Sequence, residues 1–283
     1  MLTHPATQSL KLGLIGDNIA RSKSPLLHGL AGQRASLAVR YDRLVPSDLG
    51  QPFAQVFDTA REAGYRGLNI TYPYKETVVP LVAIDDPVLR AMGTVNTVLF
   101  DAQGPRGFST DYTGFKAAYR KTRAEALPGV TLLIGAGGVG RAIAFGLADL
   151  GATTLRLADR DINKAKDLAR DLTQVFPTLS IEIATSAAQM AVGVSGIVNA
   201  TPVGMVGYEG TPLEKSAMSG AEWAFDAVYT PEDTQFLRDA TDAGLVTISG
   251  WELFFYQGIH AWKLFSGQDT DADWLRHSLH QQG

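Results

Sequence analysis

The chain has 283 residues, 45% of them hydrophobic and 19% charged, with a formal net charge of −4. That is enough apolar material for two modest α/β domains or one large one, and it excludes a disordered chain. Cysteine is absent, which removes a disulfide scaffold, a thiolate zinc site, an iron–sulfur cluster and a cysteine nucleophile; no basic run suggests a nucleic-acid or membrane surface.

In chain order, MLTHPATQSL lacks a basic segment followed by an apolar stretch, so no export leader is expected. Lys11–Gly16 reads as a short buried strand, followed by the polar loop DNIARSKSP. Pro25 suits the first turn of a helix over Leu26–Ala35, with Ser24 as its N-cap. A strand at Val39–Leu44, a helix at Leu49–Ala63 and a strand at Arg66–Thr71 follow, and YPYKET is expected to open a helix near Glu76. Thr94–Phe100 and the residues around Gly107 read as a pair of strands.

From Thr113 strands and helices alternate: helix Phe115–Glu125, strand Val130–Ile134, helix Arg141–Leu150, strand Thr154–Asp159, helix Ile162–Phe176, then strands at Ser180–Ile183 and Gly196–Asn199. Phe225–Tyr229 and Leu245–Ile248 are the last strands expected, and Glu252–Phe265 and Ala272–Leu279 read as an aromatic-rich helical tail. Such alternation predicts a doubly wound parallel sheet. The most apolar window, Val130–Gly140, is too short to span a bilayer, and a cytoplasmic location is expected.

Gly135-Ala136-Gly137-Gly138-Val139-Gly140 lies between a predicted strand and a predicted helix, the context in which GxGxxG signals dinucleotide binding. Gly135 permits the tight turn, Gly137 lets backbone approach a pyrophosphate, and Gly140 lets helix pack on strand. The next strand ends on Asp159, whose carboxylate suits ribose hydroxyls and repels a 2′-phosphate, favouring NAD over NADP. Arg160 pulls the other way, since a guanidinium there pairs with that phosphate. NAD is expected ahead of NADP.

Polar clusters mark the chemistry. Ser22 and Ser24 sit two apart in a loop read as extended, with both hydroxyls on one side. Asn69, Thr71 and Lys75 lie on a strand and the turn after it, Asn96 follows AMGTV, and Asp111 sits in GFSTDYTGF. Each alone is compatible with ordinary turn chemistry.

Together, and in order along essentially the whole chain, these segments resemble the shikimate/quinate dehydrogenase family. The matching stretches are Ser22–His28, Gly67–Lys75, Thr94–Thr97, Thr110–Gly114, Gly135–Gly140, Asn199–Met205, Asp226–Tyr229, and Gly250 with Gln257. The resemblance implies an α/β chain of two domains. A substrate domain covers 1–111, with 250–283 returning to it, and a Rossmann cofactor domain covers 112–249. It implies that Lys75 and Asp111 form the catalytic pair. Ser22, Ser24, Asn69, Thr71, Asn96, Tyr229 and Gln257 are expected to hold a ring acid, and Thr201, Pro202, Gly204, Met205, Val228 and Gly250 to join Gly135–Gly140, Asp159 and Arg160 on the cofactor.

A lysine serves as general base when burial or a nearby cation favours its neutral form, and an ionised aspartate beside it opposes that, so such a pair titrates as one unit. Arg21 and Tyr74 stand where many family members carry His, and with Asp159 these departures suggest the NAD-linked quinate/shikimate branch or an aminoshikimate-type branch. A methylene-folate-dehydrogenase-like enzyme and a non-catalytic NAD-binding sensor are the alternatives. A monomer and a homodimer both remain open. His28, His260, His277 and His280 are too scattered for a metal site, and none is expected. Trp251, Phe254, Phe255, Trp262 and Phe265 have helical spacing and are expected to pack the tail onto the first domain.

Overall fold

The computed structural model describes residues 9–282. The N-terminal leader reading and the first eight residues of the expected substrate domain lie outside them. The chain forms two compact units: one runs to Leu89 and adds Gly93–Thr110 and Gln257 onward, and the other takes Arg90–Met92 and Asp111–Tyr256.

The first unit is built on β1 (Ser9–Ile15), α1 (Ser24–Arg34), β2 (Ala38–Leu44), α2 (Pro46–Leu49), α3 (Phe53–Glu62) and β3 (Gly67–Ile70). After α4 (Pro87–Met92) come β4 (Thr97–Asp101) and β5 (Gly104–Phe108). The sheet order is β2-β1-β3-β4-β5, with β1, β2 and β3 parallel and β4 and β5 antiparallel. Phe53, Val56, Phe57 and Ala60 recur at helical spacing on α3 and bury against Ile15, Leu68, Ile70 and Val98.

The second unit alternates α5 (Thr110–Arg123), β6 (Val130–Ile134), α6 (Gly138–Asp149), β7 (Thr154–Ala158), α7 (Ile162–Val175), β8 (Ser180–Ala184), α8 (Ala187–Met190), β9 (Gly196–Asn199), β10 (Trp223–Asp226), α9 (Gln235–Asp242) and β11 (Val246–Ile248). Its strands run β11-β10-β9-β6-β7-β8, all parallel. Order therefore reverses between β6 and β9, the switch point of a doubly wound sheet. Strands β9 and β10 are buried at every position, as a sheet covered on both faces requires. The expected α/β class and parallel sheet are both present.

Helix α10 (Gly250–Ser266) starts in the second unit and ends in the first, where α11 (Ala272–Gln282) follows. The return to the first unit thus falls at Gln257, not Gly250. Trp251, Phe254 and Phe255 accordingly belong to the second unit; Trp262 and Phe265 alone of the tail's aromatic group belong to the first. No helix of the described residues is long and apolar enough to cross a membrane.

Other expectations need correction. Turns and a single 3₁₀ turn at Val79–Leu81 replace the helix expected near Glu76, because Pro80 lacks an N–H to continue one. Ser24 is the first residue of α1, not its cap; Lys23 holds that place, in a helical conformation with no side-chain cap. The helix expected at Leu49–Ala63 is two helices, divided at Gly50, which takes a left-handed φ of 63°, and Pro52.

Gly67 shows how closely the first unit packs: a Cβ there would lie 2.4 Å from Phe265 Cε1 and 2.6 Å from the Val98 carbonyl oxygen. Gly67→Ala is expected to destabilise the protein by about 2 kcal/mol, measured by urea unfolding; an unchanged midpoint would show that the ring and strand yield freely.

Candidate functional site

In the first unit the polar residues form one buried hydrogen-bonded chain. Because every side chain of β3 is buried, Asn69 must find partners inside. Its Oδ1 accepts from Tyr41 Oη at 2.8 Å and its Nδ2 donates to Thr97 Oγ1 at 3.2 Å. Thr97 Oγ1 lies 2.9 Å from Thr110 Oγ1. Asn96 closes the group: Oδ1 accepts the Thr110 N–H at 2.6 Å, while Nδ2 donates to Thr110 Oγ1 at 2.9 Å and Gln257 Oε1 at 3.4 Å. The structure therefore joins Asn69 to Asn96 and Gln257, all expected site residues, through Thr97 and Thr110, with Tyr41 at the Asn69 end; the sequence reading left these three unassigned. The adjacency of Thr97 and Thr110 to Asn96 and Asp111 was the available signal.

Ser22 Oγ donates to Ser24 Oγ at 3.2 Å, so the two hydroxyls do lie together. The loop is not extended, however, since Lys23 between them is helical. Thr71 has its room because a glycine, Gly16, follows β1; a Cβ on Gly16 would lie 2.2 Å from Thr71 Cγ2. Lys75 is half-buried, and its carbonyl accepts the Val95 N–H at 2.9 Å, tying it to the residue before Asn96. Tyr74 stacks on Phe53 at 4.7 Å and donates to Asp17 Oδ1, which makes it a packing residue; Arg21 is exposed.

Behind the polar chain, His28 is buried and stacks on Tyr41 with ring centroids 5.1 Å apart. Desolvation pushes its pKa down to about 3, against a weaker opposing hydrogen bond with Asn69.

In the second unit, Gly135 has φ 101°, a conformation that favours glycine, and a Cβ on Gly140 would lie 2.1 Å from the Gly135 carbonyl oxygen. Gly137 N-caps α6 without a side-chain cap, and a Cβ there would meet nothing within 4 Å. The turn thus presents unclaimed helix N–H groups beside open space, which suits a diphosphate. Asp159, half-exposed, is already engaged: its Oδ2 accepts the Ala136 N–H at 2.7 Å and its Oδ1 the Asp161 N–H at 2.8 Å. Both oxygens keep further lone pairs for ribose hydroxyls. Arg160 beside it is exposed.

Strands β9 and β10 end in register on Asn199 and Asp226, both fully buried. Asp226 Oδ1 accepts from Asn199 Nδ2 at 2.9 Å and the Val228 N–H at 3.0 Å, and Oδ2 accepts from Thr234 Oγ1 at 2.6 Å. Burial pushes this carboxyl up to about 6 while those three hydrogen bonds pull it back. Asn199 Oδ1 accepts from the Thr201 N–H and hydroxyl, and its Nδ2 donates to the Val203 carbonyl. Gly204 has φ 100°; Pro202 is exposed and Met205 half-exposed. A Cβ on Gly250 would lie 2.3 Å from the Val228 carbonyl oxygen, and Tyr229 stacks on Phe254 at 5.1 Å. Residues 135–140, 159, 201–205 and 228 all follow the carboxyl ends of β6, β7, β9 and β10, around the switch point. Asn199, Asp226 and Thr234 had no role assigned from sequence.

The family model described as the shikimate dehydrogenase substrate binding domain matches residues 14–98. A quinate/shikimate dehydrogenase (NAD(+)) of Corynebacterium efficiens is 35% identical over 95% of this chain and 96% of its own length. A shikimate dehydrogenase (NADP(+)) of Pseudarthrobacter chlorophenolicus is 34% identical over 95% of this chain and 94% of its own. The quinate dehydrogenase structure from Corynebacterium glutamicum in complex with NAD superposes with a TM-score of 0.88 at 32% identity, covering 97% of this chain and 99% of that one.

The polar chain in the first unit carries a stability cost that is readable by pH. The unfolded chain protonates His28 near 6.5 and the folded chain near 3, so stability falls as pH drops through that window. The loss is at most about 1.4 kcal/mol per pH unit. His28→Phe, which keeps a ring against Tyr41, is expected to flatten that acid limb in urea unfolding; parallel limbs in variant and wild type would refute it.

Proposed function

The chain belongs to the shikimate/quinate dehydrogenase family, and we propose that Lys75 and Asp111 carry out proton transfer in it while NAD is the preferred cofactor. The protein is an NAD(P)-dependent oxidoreductase whose substrate is a hydroxylated cyclohexene or cyclohexane carboxylate, shikimate or quinate. When bound, the nicotinamide supplies the acceptor or donor of the hydride.

The supporting observation is the tie between Lys75 and the buried polar chain. Its carbonyl holds the Val95 N–H, one residue before Asn96, so the backbone carrying the amine is fixed to the segment that leads through the polar hub into β4. In this reading the Lys75 amine takes the proton of the alcohol as the carbon–hydrogen bond breaks, and returns it in the reverse direction. Asp111 accepts a hydrogen bond from the ammonium that forms and so orients it. Ser22, Ser24, Thr71, Asn96, Tyr229 and Gln257 hold the ring hydroxyls and carboxylate. An analogue lacking one of those hydroxyls leaves buried polar groups unpaired, which rejects it strongly.

On the cofactor side, Gly135–Gly140 cradles the diphosphate, the Asp159 carboxylate meets the adenosine ribose, and the residues after β9 and β10 line the nicotinamide end. A carboxylate at the ribose edge favours NAD over NADP. The substrate domain is assigned to the first unit and the cofactor domain to the second.

The test is a matrix of shikimate, quinate and aminoshikimate against NAD and NADP. Turnover is expected on shikimate or quinate with NAD ahead of NADP; NAD binding without turnover on any of the acids would support the sensor instead. In the same assay Lys75→Ala should lower kcat by about three orders of magnitude or more with NAD affinity nearly unchanged. Turnover like that of the wild type would remove Lys75 from the mechanism. Asp159→Ala should narrow the NAD/NADP preference, and an unaltered ratio would refute the ribose assignment.

A further inference from the structure

We infer that Asp226, acting through Asn199 and Thr234, is a positioning residue that fixes the two loops at the nicotinamide end of the cofactor site. The inference rests on the cofactor reading above and adds a residue that touches neither substrate nor cofactor in it.

A carboxylate with no solvent exposure is costly unless its hydrogen bonds are satisfied. Asp226 meets three groups, and all three donate: the Asn199 amide, the Val228 N–H and the Thr234 hydroxyl. Such a setting suits an acceptor-only group; asparagine would keep one acceptor oxygen and turn its NH2 either on an N–H donor or on the Thr234 hydroxyl, reversing that bond and competing with its cap on α9.

Each donor governs a different segment. Val228 lies in the 227–229 stretch that ends on Tyr229. Asn199 spends its other bonds on the Thr201 N–H at 3.0 Å, the Thr201 hydroxyl at 2.7 Å and the Val203 carbonyl at 3.0 Å, and the Thr201 hydroxyl in turn accepts the Val203 N–H at 3.2 Å. Thr234 caps α9 by accepting the Leu237 N–H at 3.2 Å. The Val206 N–H donates to the Thr230 carbonyl at 3.2 Å, joining the two loops to each other. One carboxylate therefore sets the backbone of 200–205 and 227–229 together. The glycine turn has a separate anchor, Asp159 on the Ala136 N–H. Loss of the Asp226 network should displace the nicotinamide end while leaving the diphosphate end in place. Misplacement by tenths of an ångström to an ångström degrades hydride transfer far more than binding.

The experiment uses the full chain with Asp226→Asn, Thr234→Val and Thr234→Ser. NAD affinity is titrated directly, and turnover and the primary deuterium isotope effect are measured on whichever of shikimate or quinate the wild type oxidises. Expected are a fall in kcat of about 100-fold for Asp226→Asn and about 10-fold for Thr234→Val, with NAD affinity within about threefold of wild type. The isotope effect should rise as hydride transfer becomes limiting, and Thr234→Ser, which keeps the hydroxyl, should recover most of the Thr234→Val loss. A kcat within twofold of wild type in Asp226→Asn and Thr234→Val, with only the unfolding midpoint lowered, would make the carboxylate purely structural and overturn the inference. If Asp226→Asn does not fold, the Thr234 pair decides by the same criteria. A wild type that binds neither NAD nor NADP overturns the cofactor reading itself, and the inference with it.

Discussion

Where a strand runs out inside a covered sheet, polar groups at its end are buried, and each needs a partner supplied by a side chain. Both units of this chain solve that problem with an amide. In the first, Asn96 accepts the Thr110 N–H and donates to Thr110 and Gln257, closing the passage from β4 and β5 into α5. In the second, Asn199 bridges the ends of β9 and β10 through Asp226. An amide suits both places because it donates and accepts at once. The functional loops inherit their geometry from these bonds, so the same residues that terminate the strands also aim the groups assigned to substrate and cofactor.

Periodicity and composition made the sheets legible. Val130–Ile134 and Gly196–Asn199 have the bounds expected, because continuous apolar runs bounded by Gly and Pro leave little choice. The glycine turn was equally plain, since Gly135 and Gly140 occupy places that a Cβ would fill. Local signals failed where tertiary demands override them. YPYKET looks like a helix start, yet Pro80 prevents the turn from propagating. Ser24 looks like a cap, but its hydroxyl accepts from Ser22 instead.

The site was legible to the extent that its residues stand in recognisable clusters. Asn69, Asn96 and Gln257 share one network, but the links between Asn69 and Asn96 are Thr97 and Thr110, with Tyr41 extending the network from Asn69. Apart from the adjacency of Thr97 to Asn96 and of Thr110 to Asp111, nothing in a linear sequence sets these ordinary strand and helix-start residues apart from their neighbours. Asp226 was hidden for a related reason. The sequence places it inside a strand expected at Phe225–Tyr229 and in a stretch that resembles the family, and only its burial and its three donors show that it serves as an internal acceptor.

Asp159 shows how one carboxylate can tie two properties together. Ribose discrimination alone requires only negative charge near the 2′ position. Here the same side chain also takes the Ala136 N–H inside the glycine turn and the Asp161 N–H at the entry to α7. A replacement without an acceptor, such as alanine, would relieve repulsion of a 2′-phosphate but release both N–H groups at once. Replacement by asparagine keeps one acceptor oxygen and turns a donor toward the other N–H. On the proposed ribose role of Asp159, nucleotide preference is coupled to the shape of the glycine turn, and a chain that favoured NADP at this position would need a second group to hold that turn.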